Sequence, residues 1–148
     1  MVATASTDEP VASTATIPDE LLARAVFTTQ AGETYELRIE VPPREEYSIG
    51  LSGRLELGER GMLFWYPDVV QQSFWMKDTH YDLSIAFVDG DARIVAILDL
   101  ERESLETRRP EAGYRYAIEA PAGWYAEHGI EVGDAAVLDF EIPAGLRD

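Results

Sequence analysis

The chain has no cysteine, one lysine and no long apolar run, and each of these shortages excludes a class of protein. Without cysteine there is no disulfide, no thiol nucleophile and no cysteine-based metal cluster. No apolar stretch approaches the roughly 20 residues that a membrane-spanning helix needs. The two histidines, His80 and His128, lack the spacing of a helical metal-binding pair. We therefore expect no metal, no cofactor and no membrane insertion.

Positive charge is also scarce. Twelve basic residues stand against 28 acidic residues, which gives a formal net charge of −16. Such a surface repels polyanions, so neither nucleic acid nor an anionic membrane is an expected partner. Lys77 is the single lysine, and all other bases are arginine. Arginine-rich codon usage explains the shortage of lysine but not the excess of acid, so we predict a halophilic protein, in which salt screens the repulsion.

The first 22 residues differ in composition from the rest of the chain. Residues 1–22 are mainly alanine, threonine, serine, proline and acid, and we predict that they form a flexible tail. Residues 23–148 form one domain, which is long enough to bury a core without metals or disulfides. The stub of a cleaved export leader is one origin of such a tail, and a natural disordered terminus is the other.

Alternation of apolar and polar residues predicts a β protein. Residues 34–41 alternate cleanly, and the Gly-containing loop before them indicates a hairpin. The sequence Asp89-Gly90-Asp91 indicates a second hairpin. Bulky residues predict short strands at 62–66 and 74–76, and short helices fit residues 44–52 and 121–128. About eight short strands with two short helices predict an all-β fold, as an antiparallel sandwich or half-open barrel.

Three motifs carry large apolar residues and glycines in a specific order. They are Gly50-Leu51-Ser52-Gly53-Arg54, Phe74-Trp75-Met76-Lys77-Asp78-Thr79 and the segment Ala120–Asp134. Together they resemble the DUF192 family, which has no agreed biochemical function, over roughly Arg24 to Ile142. The resemblance implies a jelly-roll-like β fold and, because members often carry export leaders, an extracytoplasmic location. Three positions depart from the family pattern: Ser52 replaces Met, Asp78 replaces Asn, and Ser84 replaces Asp.

Arg54, Trp75, Lys77, Asp78 and Thr79 are the candidate ligand-binding residues. On a strand, Trp75 and Lys77 share one face, and an aromatic ring beside an ammonium group can hold a sugar or a small carboxylate. The planar guanidinium of Arg54 can bind the same groups. The structural alternative places Trp75 in the core and pairs Lys77 and Arg54 with nearby acids. In that alternative Asp78 and Thr79 form a turn.

We therefore predict a monomeric, extracytoplasmic accessory domain that binds a small polar ligand or an envelope partner, rather than an enzyme. A glycan-acting enzyme with paired carboxylates from Asp78, Asp82 or Glu59 is the first alternative. A protein-interaction module with exposed aromatic residues is the second. A concave site with aromatic walls favours the binding domain, two converging acids favour the enzyme, and a flat apolar patch favours the interaction module.

Overall fold

The computed structural model describes residues 1–3 and 17–147. Seven strands form one sheet, in the order β5-β4-β6-β3-β2-β1-β7. The strands are β1 (Ala23–Thr28), β2 (Thr34–Glu40), β3 (Gly61–Val70), β4 (Leu83–Val88), β5 (Ile94–Leu100), β6 (Tyr114–Pro121) and β7 (Ala135–Leu138). Two short helices are α1 (Trp124–Glu127) and α2 (Ala144–Arg147), and single 3-10 turns lie at Asp19–Leu21 and Arg44–Glu46. Within these described ranges, no helix is long and apolar enough to cross a membrane.

Both predicted hairpins are present, and the all-β prediction is confirmed. β1 and β2 pair antiparallel, from Ala23 opposite Ile39 to Thr28 opposite Thr34. β4 and β5 pair antiparallel on either side of the Asp89-Gly90-Asp91 turn. The Asp89 carboxylate holds this turn, because its Oδ1 accepts hydrogen bonds from the backbone N–H groups of Asp91 and Arg93. The turn residues and the alternation of apolar and polar residues thus predicted these two local strand pairs correctly.

The sheet is mixed, which corrects the prediction of purely antiparallel strands. β2 and β3 run parallel, with Ile39 opposite Gly61. The predicted strand at 74–76 is wrong, because Phe74 makes only isolated bridges, to Val2 and to Arg108. The described residues form a single sheet, so the sandwich and jelly-roll detail of the prediction is not confirmed.

The central strands are buried on both faces and separate two apolar clusters. Leu83, Ile85 and Phe87 of β4 point into the first cluster, and Ala86 and Val88 point into the second. The sheet curls around the second cluster, to which β1, β2 and β7 also contribute. Its edges approach each other where Arg93 bridges Ala135, but no continuous ladder closes it. The first cluster is covered by loops, and these loops carry the sequence motifs.

The first three residues of the chain lie against the first cluster. Met1 is 0% exposed and Val2 is 6% exposed. The predicted flexible tail spans residues 1–22, and residues 4–16 of that range lie outside the described residues. Residues 17–22 contain the first 3-10 turn, after which Leu22 is buried. Residues 1–3 therefore contribute to the packing of the domain.

Candidate functional site

The two loop motifs of the sequence lie side by side over the first cluster. The backbone N–H of Gly53 donates to the carbonyl oxygen of Asp78 at 2.8 Å. The hydroxyl of Ser52 donates to the carbonyl oxygen of Lys77 at 3.2 Å and lies 3.5 Å from the hydroxyl of Thr79. The loops at residues 50–54 and 74–79 are therefore adjacent in space, although about twenty residues separate them in the chain.

Arg54 pairs with a buried glutamate. Its two terminal nitrogens donate to the carboxylate of Glu40 at 2.6 and 2.8 Å. The side chain of Glu40 is 3% exposed, and Arg60 donates to the same carboxylate at 3.3 Å. The hydrogen bonds to Glu40 raise the pKa of the Arg54 guanidinium. Arg54 is thus held by the buried acid at the end of β2, as the structural alternative expects.

Trp75 and Lys77 lie together, but on a turn rather than on a strand. The ammonium nitrogen of Lys77 lies 5.7 Å from the centroid of the Trp75 ring, and both side chains are half-buried. Asp78 is exposed at a φ of 60°, and the Thr79 N–H donates to the carbonyl of Met76. Among the described residues, no hydrogen bond, ion pair or cation–π contact joins Arg54 to Trp75 or Lys77.

Glu119 is a second buried acid, which the sequence interpretation missed, as it missed Glu40. Glu119 lies on β6, directly opposite Met62 of β3 and Ile85 of β4. It is 0% exposed, and neither carboxylate oxygen has a hydrogen-bond partner among the described residues. Burial raises the pKa of the Glu119 carboxyl to about 7, and the nearby ammonium group of Met1 lowers it in part. A buried carboxyl group with a raised pKa and no hydrogen-bond partner is a candidate for a functional site.

We call the space in front of this carboxylate the Glu119 chamber. The sheet forms its floor through Met62, Ile85 and Glu119, and the two loop motifs cover it through Gly50, Leu51 and Met76. The side chain of Met1 fills the chamber and belongs to the same apolar cluster. Gly50, at a φ of 51°, makes room for it, because a Cβ there would lie 2.0 Å from Cγ of Met1.

Residues 1–3 enter the site as an extended segment. The ammonium of Met1 donates to the carbonyl oxygen of Trp75, and the Trp75 N–H donates to the carbonyl oxygen of Met1 at 2.9 Å. The Val2 N–H donates to Tyr47 at 3.1 Å, and the Ala3 N–H donates to Ser73 at 2.9 Å. Burial lowers the pKa of the Met1 ammonium, and the Glu119 carboxylate raises it in part. Residues 1–3 are thus held by backbone hydrogen bonds to Tyr47 on one side and to Ser73 and Trp75 on the other.

The Arg54–Glu40 pair lies at a cavity that adjoins the chamber. This cavity has a volume of about 180 Å³, and Gly50 and Met62 line both it and the chamber. Tyr81 lies near these charges, where burial raises the pKa of its phenol to about 12 and Arg54 opposes the rise. Arg54 therefore lies near the mouth of the chamber, whereas Glu119 lies at its floor.

Another cavity, of about 670 Å³, lies elsewhere on the surface. Its lining includes Asp82, Asp99, Glu101, Glu106 and Arg108. Asp82 accepts a hydrogen bond from the N–H of Arg102, and Asp99 accepts one from the hydroxyl of Ser84. These carboxylates hold local structure, so we place the candidate site at the chamber, where a buried carboxylate lacks any such bond.

The acids proposed for an enzyme lie in three separate segments. Asp82 lines the large cavity, Asp78 occupies the turn beside Gly53, and Glu59 is exposed in the loop before β3. Within residues 1–3 and 17–147, no group of three or more acids and histidines is arranged to hold a metal ion. The arrangement at the chamber can bind a hydrogen-bond donor, with one buried carboxylate as the acceptor.

One sequence signal could have identified Glu119. It interrupts the otherwise apolar run Tyr116–Pro121, in which both neighbours along the strand and both neighbours on the same face are uncharged. An acid within a strand that is buried on both faces needs a partner or a function. The signal was obscured by the large number of acids, because 28 carboxylates make any single one inconspicuous.

Comparison with known proteins places these residues in a family. The model of the DUF192 family, described as "Uncharacterized ACR", matches residues 26–138. The chain belongs to the DUF192 family. The matched range contains the loops 50–54 and 74–79 and Glu119, so the DUF192 domain includes every wall of the chamber except Met1.

Two solved structures are similar to this DUF192 chain over most of its length. A proposed transcription regulator from Sinorhizobium meliloti 1021 has 27% identity and a TM-score of 0.73, with 84% of this chain and 95% of that chain covered. A protein of unknown function from Novosphingobium aromaticivorans DSM 12444 has 27% identity and a TM-score of 0.71, with coverages of 91% and 99%. A search of curated proteins found no match.

Proposed function

We propose that this DUF192 protein is a binding module, and that the Glu119 chamber is its site for a small polar ligand that donates hydrogen bonds. The state of Glu119 carries the proposal, because it is fully buried and its two oxygens have no hydrogen-bond partner among the described residues. A buried carboxylate is unfavourable unless it is protonated, paired or hydrogen-bonded. A ligand that brings an N–H or O–H group to Glu119 relieves this cost.

The walls of the chamber also support a binding role. Leu51, Met62 and Met76 offer an apolar lining around one acceptor, which is the usual composition of a small-molecule site. We include Arg54 at the mouth and Trp75, Lys77, Asp78 and Thr79 on the adjoining turn as outer parts of the same site. A sugar or an amine fits this arrangement better than a carboxylate ligand, because a second carboxylate beside Glu119 adds repulsion.

A role in transcription by direct DNA binding has little support in this chain. The structural relative that is named as a regulator gives a precedent for regulation. The net charge of −16 opposes the phosphate contacts on which DNA binding depends.

The predicted extracytoplasmic location and the predicted monomeric state remain part of our proposal. Cell fractionation tests the location, and sedimentation analysis tests the monomeric state.

The three methionines of the chain provide reporters for this proposal. Met1, Met62 and Met76 all belong to the cluster at the chamber. Because the side chain of Met1 fills the chamber, a ligand there must displace it, and binding therefore changes the NMR shifts of the ¹³C-labelled methionine methyl groups. We expect glucosamine to shift these signals, glucose to shift them less, and succinate to leave them unchanged. The substitution Glu119→Gln should weaken glucosamine binding by about tenfold or more, the usual effect of losing a hydrogen bond to a charged group.

Glu59→Gln is the matched control, because Glu59 is exposed and the same charge is removed. This variant should bind glucosamine like the wild type. Equal affinities for glucosamine in the Glu119→Gln and Glu59→Gln variants, or no methyl shift with any of the three probes, would contradict a ligand site at the chamber.

A further inference from the structure

We propose that the open edge of β5, together with the cavity beside its C-terminal end, is a docking surface for an extended, positively charged segment of a partner protein. This cavity shares no lining residue with the Glu119 chamber, so the inference does not depend on the function proposed for the chamber. Three features support it: free backbone groups on the strand, unpaired carboxylates in the cavity, and the charge of the whole molecule.

β5 is an edge strand, with β4 on one side only. The start of its open side is covered, because the N–H of Ile94 donates to the carbonyl of Asp134 and the carbonyl of Ile94 accepts from the N–H of Gly133. Beyond Ile94, no strand or bridge follows this side among the described residues. Residues 94–98 carry neither the charge nor the proline that often protects an edge strand. The open side can therefore accept an added strand.

The alternation of the β4–β5 ladder shows which backbone groups are free. In an antiparallel pair, every second residue turns its N–H and C=O away from the partner strand. Ile94 is such a residue, and one extra residue, Val95, then shifts the pattern by one position. Ile97 and Asp99 are the next two, and in agreement the side chain of Arg108 donates to the carbonyl oxygen of Asp99.

Three outward-facing groups of β5 are available to a peptide backbone. They are the N–H and C=O of Ile97 and the N–H of Asp99, for which no partner on the open side is present in the part of the chain that the structure describes. An added strand that bonds to these groups would use the main-chain contacts by which sheet edges recognise extended peptides.

The cavity of about 670 Å³ begins where this free edge ends. Its lining contains one base, Arg108, and four acids, which are Asp82, Asp99, Glu101 and Glu106. All four acids are exposed, and none of them forms an ion pair within residues 1–3 and 17–147. The cavity thus presents uncompensated negative charge beside the free backbone groups.

The charge of the molecule decides which kind of segment fits this surface. A second copy of the chain also carries a net charge of −16, so pairing between two copies is opposed by repulsion. A segment with lysine or arginine at alternate positions can pair with β5 and place a basic side chain in the cavity. Leu105, which is 66% exposed between the lining residues Ser104 and Glu106, adds an apolar contact at the rim.

The test uses acetyl-Lys-Val-Lys-Val-Lys-amide as a basic, extended probe, and NMR measures hydrogen exchange of the backbone N–H groups. In the free protein, the N–H groups of Ile97 and Asp99 should exchange faster than those of Leu98 and Leu100, which face β4. With the probe at about ten times its Kd, exchange at Ile97 and Asp99 should slow by about tenfold, because only the unbound fraction stays open. Exchange at Leu98 and Leu100 should not change.

Two further probes separate strand pairing from charge. Acetyl-Glu-Val-Glu-Val-Glu-amide reverses the charge and should not bind. The lysine peptide with a methyl group on every backbone nitrogen keeps its charge but cannot pair as a strand, so it should not slow exchange at Ile97 and Asp99.

Paired protein variants test the cavity. The double variant Glu101→Gln/Glu106→Gln should weaken binding of the lysine peptide by about fivefold, in the range of two exposed ion pairs. The matched control is Glu56→Gln/Glu59→Gln, which removes the same charge at two exposed positions outside the cavity and should bind like the wild type. Glu119→Gln should also bind the lysine peptide like the wild type.

Four outcomes would overturn the inference. The first is slow exchange at Ile97 and Asp99 in the free protein, which means that the edge is already covered. The second is equal binding of the methylated and unmethylated lysine peptides. The third is slowing without the probe that grows with protein concentration, which identifies a second copy as the occupant. The fourth is weaker binding in Glu119→Gln with unchanged binding in Glu101→Gln/Glu106→Gln, which places the peptide at the chamber.

Discussion

At the scale of single residues, two buried glutamates differ in how their charge is matched. Glu40 is 3% exposed, but Arg54 and Arg60 both donate hydrogen bonds to its carboxylate. Glu119 is 0% exposed and accepts no hydrogen bond among the described residues. A matched buried charge supports the fold when both partners are present, whereas an unmatched one destabilises it. A buried acid without a partner calls for an explanation, and this is why we propose Glu119 as part of a functional site.

The raised pKa of Glu119 predicts a specific dependence of stability on pH. Between the ordinary value of 4.5 and about 7, the folded protein keeps a proton that the unfolded chain has lost. The free energy of unfolding therefore falls as the pH rises through this window, by roughly 3 kcal/mol for this group. In Glu119→Gln this contribution is absent, so the variant should gain stability relative to the wild type between pH 5 and pH 8.

Urea unfolding of the wild type and of Glu119→Gln at pH 5 and pH 8 measures this difference. The exposed Glu59→Gln variant controls for the loss of one negative charge and should follow the wild-type profile. If the profiles of wild type and Glu119→Gln run parallel between the two pH values, Glu119 ionises in the folded protein as it does in the unfolded chain.

At the scale of elements, the segment 73–79 shows how an aromatic residue and a cation meet outside regular structure. Alternation on a strand predicted that Trp75 and Lys77 share a face, but the segment forms a turn, since the N–H of Thr79 donates to Met76. The ammonium of Lys77 lies near the Trp75 ring, and no ion pair to Lys77 is present among the described residues. The one lysine of the chain is thus held by an aromatic ring.

This contact predicts unequal costs of truncation in the segment. Lys77→Ala should lower the free energy of unfolding by less than about 1 kcal/mol, because both partners are partly solvated. Trp75→Ala should lower it by about 2 kcal/mol, below the 3–5 kcal/mol of a fully buried tryptophan. Urea unfolding measures both. Lys77→Arg keeps the cation and is the control, and a larger loss in Lys77→Ala than in Trp75→Ala would contradict this account.

The sequence predicts local elements of this fold well and long-range pairing poorly. The hairpins β1–β2 and β4–β5 follow from alternation and turn residues, which act over a few positions. The parallel contact of β2 with β3 depends on the path of the chain between them, which no periodic pattern records. The bulky residues at 74–76 suggested a regular strand. Phe74 instead makes single bridges to Val2 and Arg108, which are both more than thirty residues away, and local sequence does not indicate such distant partners.

The same limit applies to the candidate site. The motifs at 50–54 and 74–79 could be identified from their composition, and the structure places them side by side. The chamber also needs Glu119, which enters from β6, and Met62, which lies opposite it on β3. A cross-strand neighbour is set by register, and register between distant strands cannot be inferred from a single sequence.

At the scale of the whole molecule, the net charge of −16 dominates the surface, because the buried acids are few. Like charges on a folded surface repel each other more strongly than in the expanded unfolded chain, so repulsion lowers the stability of the fold. The family assignment and the sheet do not explain this excess. Adaptation to high salt stays our proposal for it, since dissolved ions screen the repulsion.

Halophilic adaptation predicts that NaCl stabilises the fold through screening. At molar NaCl the Debye length falls to about 3 Å, which removes most repulsion between surface carboxylates. The Tm at pH 7 should therefore rise with NaCl, as calorimetry measures. The control is the same titration near the isoelectric point of about 4.3, where the net charge is close to zero and only salting-out effects remain. An equal rise of Tm at both pH values, or none at pH 7, would assign the acid excess to a cause other than high salt.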